Sequence, residues 1–493
     1  FFKQKTAYEI IAGDWSSDVC SSDLESALIL PLVEGNAPDD PALAAAAKAA
    51  RFTGKAGEAL CLPGRHGFTI LAGIGAGAAI SDWEAGGGAG MAAAAGRAQA
   101  ILLADSATPE QAAGFAAGAL LNAWRFNVLR DASKDKDAPP ARVTLAVASP
   151  TKVEPAWVRA EAMLRGVLFA RDLVVEPGNR LNPASFAERL RALKEFGLKV
   201  EVLEGKRLMA LGMGALCAVG GGAVHGPRLV VLRWPGKVKA APVAFVGKGI
   251  CFDTGGISIK PAAGMEDMRA DMAGAAAAAG AMLALAIRQS PAPAVAVLAL
   301  AENAIGAASY RPGDILRSYS GKTIEVLDTD AEGRLILADA LAYTAARFKP
   351  RAMIDLATLT GSIITALGHH RAGGFGNEEA LSAALLAAGA AVAEPLWPMP
   401  IDEEHREVLK SDIADLRQCA PAGSGAWGGR FLSDACHAAA FLREFAGSGA
   451  WAHLDIAGVE TREAAAPLGP KGPSGFGVRL LDHLVAMRFE GDA

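Results

Sequence analysis

Apolar positions follow two rhythms along this chain. Four short runs have the length and composition of strands in a buried sheet: VAFVG (Val243 to Gly247), AVAVLAL (Ala294 to Leu300), TIEVLD (Thr323 to Asp328) and AMIDLAT (Ala352 to Thr358). Longer alanine-rich stretches between them, Met272 to Ile287 and Gly333 to Arg347, have the length of helices. Strand, helix, strand at this spacing predicts a doubly wound α/β domain with a mainly parallel central sheet. Upstream, from Glu25 to about Ser149, segments such as FTILAGIG (Phe68 to Gly75) and PEQAAGFAAGALLNAW (Pro109 to Trp124) predict a small N-terminal α/β domain. The polar stretch Arg130 to Arg142 reads as a loop near its end. A strand-like VTLAVAS and a helical run from about Glu154 to Val175 follow. The expected division is 25–150 for the small domain, 151–180 for a connecting helix and 181–493 for the larger domain.

Residues 1–24 stand apart. KQKTAYEI (Lys3 to Ile10) and DWSSDVCSSDL (Asp14 to Leu24) resemble the conceptual translation of a sequencing-library adapter, so this segment is set aside from fold reasoning.

Composition narrows the class. Of 493 residues 52% are hydrophobic, enough for large cores and against a disordered chain. A formal net charge of −5 without long single-sign runs gives no footprint for nucleic acid or an acidic membrane. The longest apolar stretch, Met272 to Ile287, is short for a bilayer span and reads as a buried helix. The six cysteines form no CxxC pair, which argues against a zinc ribbon or a disulfide framework and for a reducing, cytoplasmic setting. The glycine runs GIGAG and GGGAVHG lack the full spacing of a nucleotide loop and read as turns.

Candidate chemistry gathers at strand ends. VGKGICFDTGGISIKP carries Lys248, Asp253 and Lys260; MEDMRADMAGAA carries Asp271; VLDTDAEGRLILADAL carries Asp330, Glu332 and Arg334. Taken singly, Asp330 and Asp271 would cap helices, Glu332 would face a helix dipole, and the lysines would be solvated. Together, charges embedded among Gly, Ala, Ile and Phe at three strand ends are poor surface decoration. Four carboxylates at one edge repel unless cations neutralise them, and oxygen-rich clusters of this kind suit Mg²⁺, Mn²⁺ or Zn²⁺. No H-E-x-x-H occurs, which disfavours a histidine-zinc protease.

These segments resemble the leucyl aminopeptidase family of dinuclear metallopeptidases, whose hallmark is NTDAEGRL. The likeness runs from about Arg171 (RDLVVEPGNRLNP) through GMGALCAVGGG and WAHLDIAG to GFGVRLL at Gly475 to Leu481. It implies that the larger domain is catalytic and that the chain releases leucine-like, aliphatic N-terminal residues from peptides through a two-metal-activated water. It implies two divalent ions, Mn²⁺ or Zn²⁺. Lys248, Asp253, Asp271 and Glu332 would hold the tighter one; Asp253, Asp330 and Glu332 would hold the more exchangeable one. By the same resemblance Lys260 polarises the scissile carbonyl, Arg334 holds a bicarbonate, and Met268, Thr358, Leu359 and Gly361 border the first side-chain pocket. The resemblance also implies a cytoplasmic homohexamer acting on peptides.

Two departures from the family pattern stand out. Asp328 replaces the hallmark's Asn, and WGGRFLSDACHAAAFL (Trp427 to Leu442) brings Asp434 and His437 into a stretch that is usually small and neutral. Rival readings are a two-metal phosphoesterase and a binding or catalytically silent protein. The complete ligand set with Lys260 and Arg334 argues against silence.

Overall fold

The computed structural model describes residues 7–11, 26–64, 67–131, 137–421 and 433–491. The chain forms two compact units, Phe1–Leu164 with Arg462–Gly472, and Arg165–Thr461 with Pro473–Ala493. The border therefore falls inside one helix, Pro150–Val175, and a short late segment groups with the smaller unit.

The smaller unit holds six strands: β1 (Ala7–Ile11), β2 (Ser26–Leu32), β3 (Ala59–Gly64), β4 (Gly67–Gly73), β5 (Gln99–Leu103) and β6 (Arg142–Ala146). Their order is β1-β6-β5-β2-β4-β3, parallel throughout except where β3 pairs with β4. Ala7–Ile11, within the segment set aside from the sequence, lies at the edge beside β6. Helices Ile80–Ala93 and Pro109–Ala123 meet backbone to backbone: a Cβ on Gly87 would stand 1.9 Å from the Phe115 carbonyl oxygen, and one on Gly118 1.9 Å from that of Glu84. That approach explains why both helices are so poor in bulky residues.

The larger unit contains β7 (Lys199–Glu204), β8 (Arg228–Trp234), β9 (Val243–Asp253), β10 (Ala294–Asn303), β11 (Ile315–Arg317), β12 (Thr323–Glu325), β13 (Ala352–Ala357), β14 (Ala372–Gly376), β15 (Leu396–Pro398), β16 (Leu416–Arg417) and β17 (Trp451–Asp455). Eight of them form one sheet, ordered β15-β14-β17-β13-β9-β10-β8-β7. Its centre, β17-β13-β9-β10, is parallel, while antiparallel pairs flank it. The predicted α/β class with a mainly parallel sheet is what forms.

One expected strand goes elsewhere. TIEVLD does not enter the large sheet; only Thr323–Glu325 is a strand, in a small sheet ordered β11-β12-β16. The reason is its alternation. Ile324 and Val326 are buried whereas Thr323 and Glu325 are half-buried, the pattern of a strand covered on one face. AVAVLAL, apolar at every position, is buried on both faces.

The chain leaves β9 through helix Ala273–Ile287 to reach β10, then returns through helix Glu332–Phe348 to β13 on the other side of β9. Right-handed crossovers in opposite directions put the two helices on opposite faces. Accordingly Ala244, Val246 and Ile250 share a core with Leu335 to Tyr343, while Gly247 lies against Ala275. Strand order reverses beside β9, so the crevice for a ligand opens at its carboxyl end. Met265–Ile287, the one helical stretch among the described residues long and apolar enough to cross a membrane, lies buried within this unit.

Candidate active site

Lys248 sits near the end of β9 on the face covered by helix Glu332–Phe348. That helix admits it because position 333 is glycine: a Cβ there would stand 2.6 Å from Lys248 Cε and 2.8 Å from its Nζ. Strict alternation would turn Asp253, an odd position, to the opposite face. Instead the register with β10 slips by one residue between Ile250 and Asp253. The bulge re-aims Asp253 toward the same crevice as Lys248.

Four carboxylates and two lysines meet there. Lys248 Nζ lies 2.8 Å from Asp271 Oδ1 and 2.9 Å from Glu332 Oε1, and donates to the Thr358 carbonyl at 2.8 Å. Lys260 Nζ lies 2.8 Å from Asp253 Oδ2 and 2.6 Å from Asp330 Oδ1. Asp253, Asp330 and Glu332 each present an oxygen within 4.8 Å of the others'. The Thr358 hydroxyl donates to Asp271 Oδ1 at 2.8 Å. Neither Asp271 nor Asp330 caps the helix that follows it: the N-cap of helix Ala273–Ile287 is Met272 and that of helix Glu332–Phe348 is Ala331, both without a side-chain cap bond.

Crowding shows in the proton affinities. Burial, then the charge of Asp253, pushes Glu332 up to about 8 against the pull of Lys248. Asp271 rises to about 7 and Asp330 to about 6, burial again leading. Burial opposes the charge of Lys248, but Asp271, Glu332 and Asp253 outweigh it and hold its ammonium above the usual lysine range. Lys260 is likewise raised, with Asp253 and Asp330 overcoming burial.

The donor set fits divalent cations. Asp271 Oδ2, Asp330 Oδ1 and Glu332 Oε1 are buried without a well-aligned hydrogen bond, although the last two lie within ion-pair range of a lysine. Buried carboxylate oxygens without donors are what a hard cation satisfies.

The remaining predicted residues separate into two groups. Thr358 belongs to the centre through both its oxygens. Met268 is half-buried on the short helix Met265–Ala270 that leads into Asp271, Leu359 is half-buried against the core, and Gly361 faces open space. Arg334 is buried, but its guanidinium is already engaged. It lies 3.0 Å from Asp434 Oδ1 and donates to the Gln418 carbonyl at 3.1 Å. A bicarbonate does not fit an arginine whose two terminal nitrogens are so occupied. The Trp427–Leu432 part of the departing segment lies outside the described residues.

Several positioning residues escaped the sequence reading. Asn303, buried at the end of β10, donates to Asp253 Oδ1 at 2.8 Å and to the Thr329 carbonyl at 3.0 Å, tying two ligand loops together. Gln418, fully buried, accepts from Leu327 N and Asp328 N and donates to the Asp328 and Ala331 carbonyls, which moulds the DTDA turn. Asp455 at the end of β17 accepts from Leu359 N and the Thr360 hydroxyl. Asp455 interrupts an apolar run, whereas Asn303 and Gln418 each follow a charged residue, Glu302 and Arg417, and gave no signal of their own. Asp328 proves to be a turn residue whose Oδ1 accepts from Asp330 N at 2.9 Å, a bond an Asn oxygen would make equally well.

A parallel α/β sheet with an acidic, lysine-threaded cation centre at its switch point defines a class, the α/β metallohydrolases. Residues 168–482 match the cytosol aminopeptidase family, catalytic domain, and the chain belongs to that family of metallo-exopeptidases. It is 45% identical over 443 residues to a probable cytosol aminopeptidase of Gluconobacter oxydans, covering 88% of each chain. Among solved structures it resembles the cytosol aminopeptidase of Coxiella burnetii, with a TM-score of 0.82 and 30% identity over 98% of this chain and 99% of that one. It also resembles the bottromycin maturation enzyme BotP in complex with Mn, with a TM-score of 0.82 and 32% identity over 94% and 99%.

Proposed function

We propose that the chain removes leucine-like, aliphatic N-terminal residues from peptides with two divalent ions, Mn²⁺ or Zn²⁺. Lys248, Asp253, Asp271 and Glu332 would hold the tighter ion, and Asp253, Asp330 and Glu332 the more exchangeable one. The observation that carries this reading is the pair of lysine-bridged carboxylate sets, with Asp271 Oδ2 buried and without a hydrogen-bond partner. Such ions, when bound, supply Lewis acidity and a nucleophilic water near neutral pH. The Mn named with BotP supports manganese as one of them.

The chain's own groups do the rest. Lys248 must give up its proton to serve as a ligand. Lys260, the more open lysine, stays charged and donates to the scissile carbonyl, where a preorganised donor is worth about 3 kcal/mol as charge develops. Met268, Leu359 and the open space at Gly361 border the side-chain pocket, with Asp455 holding the Leu359–Thr360 backbone in place. An apolar pocket separates neighbouring aliphatics by about 1–3 kcal/mol per methylene.

Leucine-anilide hydrolysis tests the assignment. Chelator-stripped protein should be inactive and should recover with Mn²⁺ or Zn²⁺, while Lys260→Ala and Glu332→Ala should abolish turnover. Full activity in either variant sinks it. The relatives' name supports a cytoplasmic setting, and the resemblance a homohexamer, which sedimentation would check.

A further inference from the structure

We propose that Asp434 is a built-in anion for Arg334 and excludes small oxyanions, bicarbonate among them, from that guanidinium. An arginine in the protein interior keeps its charge and needs a counter-anion, because an unpaired buried charge is strongly destabilising. Arg334 is only 2% exposed. Its NH1 is spent on a neutral carbonyl, that of Gln418. Among the described residues the anion in contact with it is Asp434, whose Oδ1 stands 3.0 Å from NH2.

Asp434 opens helix Asp434–Arg443, where a negative side chain is also favoured by the helix dipole. Arg334 Nε is buried and has no hydrogen-bond partner among the described residues. Nε and NH2 form one edge of the planar fork, the edge a carboxylate grips with both oxygens. The second oxygen of Asp434 can therefore complete the grip by a side-chain rotation. A free oxyanion would have to displace a carboxylate tethered to the fold, and tethering gives that carboxylate an effective concentration a dissolved ion does not match. The resemblance had assigned this arginine to bicarbonate; the geometry assigns it to Asp434.

The test uses the full chain in CO₂-free buffer, titrated with sodium bicarbonate against sodium chloride at matched ionic strength. Thermal midpoint is one readout and leucine-anilide turnover of the Mn²⁺-loaded protein the other. The wild type should show no bicarbonate-specific change in either. Asp434→Ala should gain a saturable rise in midpoint and a several-fold rise in turnover, both lost in Asp434→Ala/Arg334→Met. Asp434→Asn, which keeps the side-chain shape, carries the same test if the alanine variant fails to fold. A wild type as responsive as the variants would show that external anions reach Arg334 past Asp434. Variants that stay unresponsive would show that Asp434 excludes nothing. Either result overturns the proposal. The midpoint arm is independent of the aminopeptidase reading: a responsive variant with no anilide turnover would leave this inference standing and remove that one.

Discussion

The acidic centre has two halves that solve one electrostatic problem at different depths. In the deep half Lys248, Asp271 and Glu332 are all buried, with side chains 4%, 9% and 2% exposed. In the open half Lys260 and Asp330 are 20% and 33% exposed. Each lysine bridges two carboxylates at nearly equal distances, so contact geometry does not distinguish them; solvent does. A cation lost from the deep half leaves two charges that water cannot reach, whereas in the open half Asp330 can be rehydrated and only Asp253 stays buried. Depth therefore separates a lysine sealed among its partners from one that solvent reaches.

The largest effect should come from unpairing the deep half in the ion-free protein. Lys248→Met leaves Asp271 and Glu332 buried without their cation and should cost about 3–5 kcal/mol. Lys260→Met should cost less than that, because Asp330 can be rehydrated although Asp253 stays buried. Urea denaturation of the chelator-treated variants measures both, and equal losses would erase the distinction between the halves.

A backbone substitution sharpens the same contrast without touching a charge. Gly333→Ala puts a Cβ within 2.6–2.8 Å of the Lys248 side chain, which three partners and burial hold in place. Displacement of about 1 Å at a reacting centre costs about 100-fold in rate. Gly361→Ala, where a Cβ meets nothing within 4 Å, should leave stability unchanged and alter only which side chains the pocket accepts. Anilide kinetics on the two variants, with leucine and a larger residue, would separate a structural glycine from a pocket glycine.

What the sequence disclosed about this centre, and what it hid, follows from the same geometry. Lys248, Asp253, Lys260, Asp271, Asp330 and Glu332 were legible because three short segments carry them at strand ends, among residues too apolar for a solvated surface. The bulge after Ile250 was not legible, since Cys251 and Phe252 simply extend the apolar run. Nor was the Arg334–Asp434 pair, whose members lie 100 residues apart and are joined only by the fold. TIEVLD was misplaced because its alternation was counted as apolar length. Asn303 and Gln418 stayed hidden for a further reason. Each follows a charged residue, Glu302 or Arg417, and such polar pairs are also common in caps and turns, so only tertiary contact tells the uses apart.

Asn303 gives the next sharpest test. It serves Asp253, the carboxylate that pairs with the open half's Lys260. Asn303→Ala removes one of two donors to Asp253 Oδ1, the other being Gly255 N, and frees the Thr329 carbonyl. Partners of metal ligands typically contribute about 10–100-fold in metal affinity. A Mn²⁺ titration by calorimetry should show that loss in both binding events, because Asp253 is proposed as a ligand to each ion. An unchanged titration would remove Asn303 from the support of Asp253.

The smallest effect comes from a buried carboxylate that has no lysine at all. Asp339 lies two helical turns beyond Glu332 on the same helix and is equally inaccessible, but its oxygens accept from the backbone N–H groups of Leu216 and Tyr319. Burial pushes it up to about 7 from an ordinary 3.8, against the pull of those donors. The folded state then holds this proton more tightly than the unfolded chain. Stability from the group is complete below about pH 4 and is lost as pH rises through about 7. Asp339→Asn keeps one acceptor, turns an amide donor toward the second N–H, and should cost about 1–3 kcal/mol at pH 5. Because asparagine does not titrate, the gap to wild type should narrow between pH 5 and pH 8. Urea midpoints at the two pH values measure it. A gap that widens instead would mean that two N–H donors outweigh burial, so that a carboxylate here needs no cation to stay ionised and depth alone does not explain Lys248.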